Sequence, residues 1–359
     1  MKLEELGWND YFDALFADHR QAGFSAARVT TQHRERCLVS GETGNLLAEV
    51  SGRFRHEAAG NRSAYPTVGD WVAVEPFGRR RGLVHAVLER KSAFVRKAAG
   101  GLTEAQVVAA NVDVVFLVTG LDGDFNLRRI ERYLTTAWDS GASPVVVLNK
   151  CDLRGDVADL VAEVESIALG TPVEVVSALA GSNLDALLRH LAPGRTAALL
   201  GSSGAGKSTL INRLLGEERL ATAPVREDDS RGRHTTSRRE LVALPSVGLL
   251  IDTPGMRELQ LWADDESLAK AFEDVETLAA GCRFADCSHT DEPGCAVREA
   301  VANGELDAGR LESFRKQRKE LRHLALKQDV RARRQAEKAF GKMVASIMKD
   351  VKKRKPSYR

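Results

Sequence analysis

The sequence predicts a multidomain protein with an N-terminal β-barrel, a central α/β unit with a mainly parallel sheet, and an α-helical C-terminal unit. Three observations predict this fold class. Short β-type segments follow one another between residues 27 and 88, apolar strands alternate with helical segments between residues 107 and 251, and three cysteines cluster between helical stretches further on. The predicted boundaries are 1–22 for an N-terminal helical segment, 23–95 for the barrel, 96–263 for the α/β unit, 264–325 for the cysteine-containing unit and 326–359 for a basic tail.

The composition is that of a folded chain without membrane helices. The 359 residues are 43% hydrophobic and 28% charged, which excludes disorder throughout and allows two to three domains. The longest apolar runs, such as Val114–Val118, are far shorter than the ~18–20 residues that a membrane helix needs. The first residues, Met1–Leu6, carry acids instead of an apolar core, so no secretory signal is expected and the expected location is the cytoplasm.

Positive charge is concentrated at the C-terminal end of the chain. The formal net charge is +2, but Glu312–Arg359 holds 17 Lys and Arg against 5 Asp and Glu. The rest of the chain is therefore net acidic. Such a tail is typical of an arm that binds nucleic acid; the alternative is a solvated helix that only aids solubility.

The barrel is predicted from five short strands that follow a helix over residues 5–20. Turn residues such as Ser40-Gly41 and Phe77-Gly78 separate the strands. The strands are Ala27–Thr31, Arg36–Val39, Leu46–Val50, Trp71–Glu75 and Leu83–Leu88. So many short strands in so short a span predict a small barrel, which residues 84–88 would close.

The central unit alternates short apolar strands with helical segments. The strands are Val112–Val118, Pro144–Leu148, Val173–Val176, Ala197–Leu200 and Leu249–Ile251, and the helices include Leu127–Trp138 and Val157–Ala168. A short apolar run alone is ambiguous, but its alternation with helices predicts a mainly parallel sheet covered on both faces. Beyond Asp264 the sequence predicts a helix, the cysteine segment and a further helix.

The most specific motif is a glycine-rich loop between the strand Ala197–Leu200 and a helix over Thr209–Leu215. Its residues are Gly201, Ser202, Ser203, Gly204, Ala205, Gly206, Lys207, Ser208 and Thr209, which fit G-x-x-x-x-G-K-[ST]. Glycines let backbone N–H groups face a polyphosphate, and the helix N-terminus adds partial positive charge. We expect Lys207 to reach the β- and γ-phosphates and Ser208 to bind Mg²⁺. The alternative is a glycine-rich turn without a ligand.

A second motif predicts that the base is guanine. It consists of Asn149, Lys150, Cys151 and Asp152, which form N-K-x-D, the guanine-reading motif of the GTPase superfamily, after a predicted strand. The Asp152 carboxylate can accept hydrogen bonds from N1–H and the exocyclic amine of guanine, whereas adenine would leave it unpaired. Asn149 would brace the neighbouring loop, and the Lys150 stem would cover the base. Ser177-Ala178 follows the next strand, and the Ala178 N–H is expected to donate to guanine O6.

The γ-phosphate is expected to contact two further segments. Asp252-Thr253-Pro254-Gly255 fits D-x-x-G, in which Asp252 holds a Mg²⁺ water and the Gly255 N–H binds the γ-phosphate. Between this motif and the phosphate loop lies the polar segment Arg231–Thr236. A threonine here would bind Mg²⁺ and order with GTP; Thr235 is the first candidate and Thr236 the alternative.

The order of the motifs along the chain is unusual. In ordinary small GTPases the phosphate loop comes first, whereas here N-K-x-D and Ser-Ala precede it. The fold survives such an order if the original termini were joined and the chain opened elsewhere, because domain termini often lie close together. The sequence therefore predicts a circularly permuted GTPase, whose segment after Gly255 runs directly into the C-terminal unit.

The cysteine segment has the spacing of a metal site. Cys282, Cys287, His289 and Cys295 form C-x₄-C-x-H-x₅-C, a closed tetrahedral ligand set for one structural Zn²⁺ without an open position for catalysis. An odd total of five cysteines argues against a disulfide framework. The alternative is a group of buried thiols with a chance histidine. Cys37 and Cys151 are interpreted as small buried hydrophobes.

Together these motifs resemble the ribosome small-subunit-dependent GTPase A family (RsgA, also called YjeQ), from about Leu3 to Leu326. The resemblance rests on N-K-x-D ahead of the phosphate loop, G-R-H-T-T, D-T-P-G and the cysteine spacing. It implies an OB-fold barrel, a permuted P-loop GTPase core and a zinc-binding domain. It also implies a bacterial cytoplasmic factor that acts late in maturation of the small ribosomal subunit. The subunit is expected to stimulate hydrolysis of GTP to GDP and phosphate by this factor. The implied partners are GTP and GDP, the subunit and its rRNA, and no membrane; a monomer is expected.

The barrel carries residues suited to RNA. Cations in this region lie among aromatic residues, as in RNA-binding OB folds. The cations are Arg53, Arg55, Arg62 and Arg79-Arg80-Arg81, and the aromatic residues are Phe54, Tyr65, Trp71 and Phe77. We interpret Trp71 and Phe77 as core residues, so the arginine turn is the stronger RNA candidate.

The residue that orients the attacking water is left open by the motifs. Small GTPases have glutamine after D-x-x-G, but here Met256 occupies that place and cannot hydrogen-bond usefully to water. His234 is the candidate in this chain, and Lys207 and Thr235 are the other expected catalytic residues. The alternatives are that His234 is an ordinary surface histidine and that a ribosomal group orients the water.

Two alternative functions remain open at this point. They are a nucleotide-gated RNA-binding module and a zinc-dependent RNA-modifying enzyme, and the closed zinc shell argues against the second.

Overall fold

The computed structural model describes residues 2–33, 36–59, 61–97, 105–218, 239–244, 247–252 and 264–328. The helices are α1 (Asp10–Gln21), α2 (Gly52–Glu57), α3 (Leu127–Ser140), α4 (Val157–Ile167), α5 (Asp185–Leu188), α6 (Lys207–Leu215), α7 (Asp265–Ala271), α8 (Glu273–Ala279), α9 (Ala296–Ala302) and α10 (Ala308–Gln328). The strands are β1 (Ser25–Gln32), β2 (Arg36–Gly41), β3 (Gly44–Val50), β4 (Trp71–Phe77), β5 (Arg81–Val87), β6 (Ala93–Lys97), β7 (Ala105–Ala110), β8 (Val114–Gly120), β9 (Ser143–Asn149), β10 (Val173–Val175), β11 (Thr196–Leu200), β12 (Arg239–Leu244) and β13 (Gly248–Asp252).

The first helix begins later than the sequence predicted. A short 3-10 turn, Glu4–Leu6, ends at Gly7, whose φ of 91° lies in the left-handed region. Glycine adopts this conformation without the steric cost of a side chain, so the chain turns here and α1 starts at Asp10. Its buried Phe12 and Phe16 belong to the same apolar cluster as Trp71 on the barrel.

The barrel is a closed ring of five strands. The order is β1-β2-β3-β5-β4, and antiparallel pairing between β1 and β4 completes the ring. The strand β5 fills the place between β3, to which it is parallel, and β4. The predicted barrel and its strand assignments are therefore confirmed. Trp71 is fully buried as expected, but Phe77 is 40% exposed, so its assignment to the core is wrong. The end of β4 is solvent-exposed, and Phe77 packs there against the Arg81 guanidinium, 5.2 Å from its ring centroid.

The α/β unit has the predicted parallel sheet. The strands lie in the order β10-β9-β8-β11-β13, all parallel, with β12 antiparallel at β13. Every residue of β8 is buried, as expected for a central strand covered on both faces. Strand β12 also pairs with β1, where Thr31 lies opposite Glu240, so the barrel and the parallel sheet form one continuous sheet.

A buried arginine adds to this junction. The Arg28 guanidinium donates to the backbone carbonyls of Leu6, Gly69 and Asn111, which belong to the N-terminal segment, the barrel and the α/β unit. Three carbonyl acceptors and the Trp71 ring beneath it satisfy the charge, and no carboxylate of the described residues is in direct contact with it. Burial nevertheless lowers the pKa of Arg28 to about 10.

The C-terminal helices pack on α3. Arg310 of α10 is 2% exposed and donates to Glu131 of α3 and to Asp274 of α8. At the surface, Arg132 of α3 forms a two-point ion pair with Glu320 of α10. The cysteine-containing unit is thereby held to the sheet through α3. Among the described helices, none combines the length and apolar character required to cross a membrane.

Candidate nucleotide site and cysteine cluster

The predicted motifs meet at one edge of the parallel sheet. Strands β9, β10, β11 and β13 run in the same direction, so their carboxyl ends meet there, which is where open α/β sheets bind ligands. N-K-x-D begins at the end of β9, Ser-Ala follows β10, the phosphate loop follows β11 and Asp252 ends β13. The permuted chain order therefore still brings these four segments together.

Two glycines of the phosphate loop are required by close contacts. A Cβ on Gly201 would lie 2.2 Å from the Val118 carbonyl oxygen, and one on Gly206 would lie 2.2 Å from the Asn149 side-chain nitrogen. Gly206 also has a φ of 93°, which L side chains rarely adopt. No side chain fits at either position, so the loop can pass close to β8 and to N-K-x-D.

The lysine of the phosphate loop is folded onto the loop backbone. The Lys207 ammonium donates to the carbonyls of Gly201, at 2.6 Å, and Ser202. Ser203 and Gly204 are exposed, Ala205 is buried, and Ser208 and Thr209 are partly buried in the first turn of α6. A lysine at the first position of the helix, above exposed loop residues, is suitably placed to bind an anion.

Asn149 connects the phosphate loop to the Ser-Ala segment. Its side-chain N–H donates to the Ala205 carbonyl at 2.9 Å, and its side-chain oxygen accepts from the Ala178 N–H at 2.9 Å. Asn149 therefore braces both neighbouring loops, as expected. The Ala178 N–H, expected to donate to guanine O6, donates to Asn149 in this structure.

The expected base-reading carboxylate is oriented by a serine. The Ser177 hydroxyl donates to Asp152 Oδ1 at 2.5 Å and accepts from the Ala180 N–H at 3.0 Å. Ser177 is buried, whereas Asp152 is exposed. One oxygen of Asp152 is therefore fixed from within the protein while the carboxylate faces outward.

Two acidic residues at this edge were missed by the sequence analysis. Asp122 pairs with Lys150, and Asp124 accepts a hydrogen bond from the Ser202 hydroxyl in the phosphate loop. Despite partial burial, the Lys150 ammonium lowers the pKa of Asp122. The available signal was their position after β8, a central parallel strand whose carboxyl end meets the same edge.

Several predicted residues lie outside the described part of the chain. They are His234, Thr235 and its alternative Thr236, Gly255, and Met256, together with the basic tail beyond residue 328. Asp252 is described and lies at the end of β13, opposite Glu240 of β12.

The three clustered cysteines and His289 converge as predicted. Their ligand atoms lie within 4.8 Å of one another. Cys282 Sγ is 3.9 Å from Cys295 Sγ and 3.6 Å from His289 Nδ1. A tetrahedral zinc ion with bonds of about 2.3 Å to sulfur and about 2.0 Å to nitrogen gives ligand separations of about 3.5–3.8 Å. The donor set therefore fits zinc.

The remaining two cysteines differ in burial. Cys37 is 6% exposed in the barrel core, and burial raises the pKa of its thiol to about 12. Cys151, in N-K-x-D, is only partly buried. The assignment as a buried hydrophobe is therefore correct for Cys37 and too strong for Cys151, because the segment after β9 turns outward to the nucleotide edge.

The barrel presents the arginine turn to solvent. Arg79, Arg80 and Arg81 are exposed beside the exposed ring of Phe77. Arg53 and Arg55 are also exposed, but Phe54 between them is buried and packs edge-on against Tyr65. At the end of β4, Arg81 and Phe77 therefore offer an exposed cation and ring pair for a nucleic acid.

Comparisons with known proteins agree with this geometry. The family model described as RsgA GTPase matches residues 87–262. A relative from Opitutus terrae, named small ribosomal subunit biogenesis GTPase RsgA, is 51% identical over 92% of each chain. The crystal structure of YjeQ from Thermotoga maritima is 30% identical, with a TM-score of 0.63 over 83% of this chain and 98% of that one. YloQ, described as a circularly permuted GTPase, has the same fold at 23% identity, with a TM-score of 0.61 over 84% and 96% of the two chains.

A second family model, described as ABC transporter, matches residues 184–342. That range includes the phosphate loop, a motif common to nucleotide-binding proteins that differ in their base. It excludes N-K-x-D and Ser-Ala, which the structure places against that loop through Asn149. The RsgA relative, in contrast, matches nearly the whole chain. The chain therefore belongs to the RsgA GTPase family and is a circularly permuted GTP hydrolase.

Proposed function

We propose that this protein assists the late maturation of the small ribosomal subunit and that binding to the subunit stimulates its hydrolysis of GTP. The observation that carries the proposal is the bridge made by Asn149. It links the loop that would hold the phosphates to the segment that would hold guanine. Several relatives are named small ribosomal subunit biogenesis GTPase, which supports the small subunit as the partner.

In the proposed complex, Asp152 reads guanine and Lys207 neutralises the phosphates. Ser177 orients Asp152, and the Lys150 stem covers the base. The remaining phosphate-loop residues from Gly201 to Thr209 surround the anion, and Ser208 binds the Mg²⁺ that accompanies GTP. Asp252, Thr235 and Gly255 complete the γ-phosphate side, and His234 orients the water.

We further propose that Cys282, Cys287, His289 and Cys295 bind one structural zinc ion. The separations of their ligand atoms support a closed tetrahedral shell. The ion would fix the segment between α8 and α9, which otherwise has few buried apolar side chains to hold it. This C-terminal unit contacts α3 of the GTPase core through Arg310, which donates to Glu131.

The arginine turn of the barrel is proposed to bind ribosomal RNA. The exposed arginine turn beside Phe77 offers cations for phosphates and a ring for a base. The chain is proposed to act as a cytoplasmic monomer at the subunit.

Turnover of GTP with and without small subunits tests the proposal. We expect strong stimulation by subunits and little by free RNA. His234→Ala should retain GTP binding and lose the stimulated turnover. Unstimulated turnover would favour a nucleotide-gated RNA-binding module instead, and unchanged stimulation in the variant would remove His234 from the mechanism.

A further inference from the structure

Arg213 joins the two halves of the nucleotide site from a position that no motif covers. It lies in the last turn of α6, the helix that begins at Lys207. Its Nε donates to the Ala178 carbonyl at 3.1 Å and its Nη2 donates to the Leu179 carbonyl at 2.9 Å. Helix α6 therefore contacts the phosphate loop at its start. At its end it contacts the loop formed by residues 177–182, which is called the Ser-Ala loop below.

The loop that Arg213 holds is closed on itself. Ser177 and Ser182 exchange backbone hydrogen bonds of 3.2 and 3.0 Å, so the residues between them form a tight excursion after β10. Within it, the Leu179 carbonyl and the Ala180 N–H belong to the same planar peptide unit. Arg213 binds the carbonyl end of this unit, and the Ser177 hydroxyl binds its N–H end.

This peptide unit connects Arg213 to the expected guanine reader. Ser177 accepts from the Ala180 N–H and donates to Asp152. Rotation of the peptide would move the N–H away from Ser177 and free the hydroxyl to turn from Asp152. The Arg213 guanidinium resists that rotation, because rotation would also break the bond from Nη2 to the Leu179 carbonyl, and the second bond, from Nε to the Ala178 carbonyl, holds the planar guanidinium in place.

Ala178 is held from both sides in the same way. Its N–H is bound by Asn149 and its carbonyl by Arg213. We propose that Arg213 is a positioning residue for guanine selectivity, which acts on the base through the Ser-Ala loop, Ser177 and Asp152. The inference rests on the proposed assignment of Asp152 as the guanine reader.

The test compares Arg213→Met, which keeps the apolar stem, with Arg213→Lys, which keeps one charged donor. Arg189→Met is the matched control, since Arg189 is 67% exposed and its ion pair is with Glu174 and not with the carbonyls of Ala178 or Leu179. Dissociation constants are measured by calorimetry for GDP, for IDP, which lacks the exocyclic amine, and for ADP. Melting temperatures of all variants verify folding.

We expect Arg213→Met to weaken GDP binding by about tenfold and IDP binding by less, with ADP unchanged. The ratio of GDP to IDP affinity therefore falls, Arg213→Lys is intermediate, and the control matches the wild type. Equal weakening of all three nucleotides, which a purely structural role of α6 would give, overturns the inference, as does an unchanged ratio. If the wild type itself does not prefer GDP to ADP, the proposed guanine site fails as well.

Discussion

Asp139→Asn should stabilise the protein at neutral and alkaline pH. Asp139 lies in the last turn of α3 and lines a cavity of about 510 Å³ between α3, α7 and residues 90–95, which lead into β6. Burial, together with the nearby charge of Asp264, raises the pKa of Asp139 to about 6. The backbone N–H of Asp264 donates to the Asp139 carboxyl at 3.1 Å, a bond that an asparagine oxygen can also accept.

The direction in which stability changes with pH follows from the raised pKa of Asp139. The folded state favours the protonated carboxyl, so its contribution to stability is complete below about pH 4 and is lost as pH rises through about 6. A shift of about 2 units corresponds to about 3 kcal/mol. Residual hydration reduces this, and the cavity also holds Arg90, Lys91, Glu266 and Lys270, so a cost of about 1–2 kcal/mol is expected at pH 8.

Chemical denaturation at pH 8 and pH 5 measures the effect. We expect Asp139→Asn to exceed the wild type by about 1–2 kcal/mol in free energy of unfolding at pH 8, and by about half as much at pH 5. Asp159→Asn, at an exposed position on α4, is the control and should not stabilise the protein at pH 8. An advantage that is absent at pH 8, or equal at both pH values, would refute the reasoning.

Two other predictions concern the C-terminal unit. Arg310→Met should cost about 2–4 kcal/mol of folding free energy, because it removes the buried cation that Glu131 and Asp274 share and leaves the fully buried Glu131 carboxylate with only the more exposed Arg128. Arg132→Met, at the partly exposed pair with Glu320, should cost about 1 kcal/mol or less. Equal losses in denaturation titrations would contradict this. Removal of zinc by a chelator should expose the segment between α8 and α9 to proteolysis while GDP binding persists. A preparation that holds no zinc by mass spectrometry and resists proteolysis would contradict the metal assignment.

The sequence predicted the strands and the cysteine cluster because their signals are local. Short apolar runs between turn residues predicted both sheets, and fixed spacing predicted the convergence of Cys282 and Cys295. The pairing of β12 with β1 depends on contacts between residues far apart in the chain, and no local pattern encodes it. Phe77 was misassigned since its burial depends on how far β4 extends past the barrel.

The sequence predicted the motifs of the candidate site but not the residues that position them. Asp124 and Arg213 lie outside every motif, and their contacts with Ser202 and Ala178 arise only once β8, β10 and α6 are packed together. Arginine in a helix is common on surfaces, so its spacing alone gave no signal.

The central claim is that Asp152 and Lys207 bind opposite ends of one guanine nucleotide. Titration calorimetry of the wild type and of Asp152→Ala with GTP and with ATP tests it most directly. We expect the wild type to prefer GTP by at least about a hundredfold, because adenine leaves the carboxylate unpaired, and we expect the variant to lose that preference while still binding triphosphate. Equal affinity of the wild type for both nucleotides, or an undiminished preference in the variant, would contradict the claim.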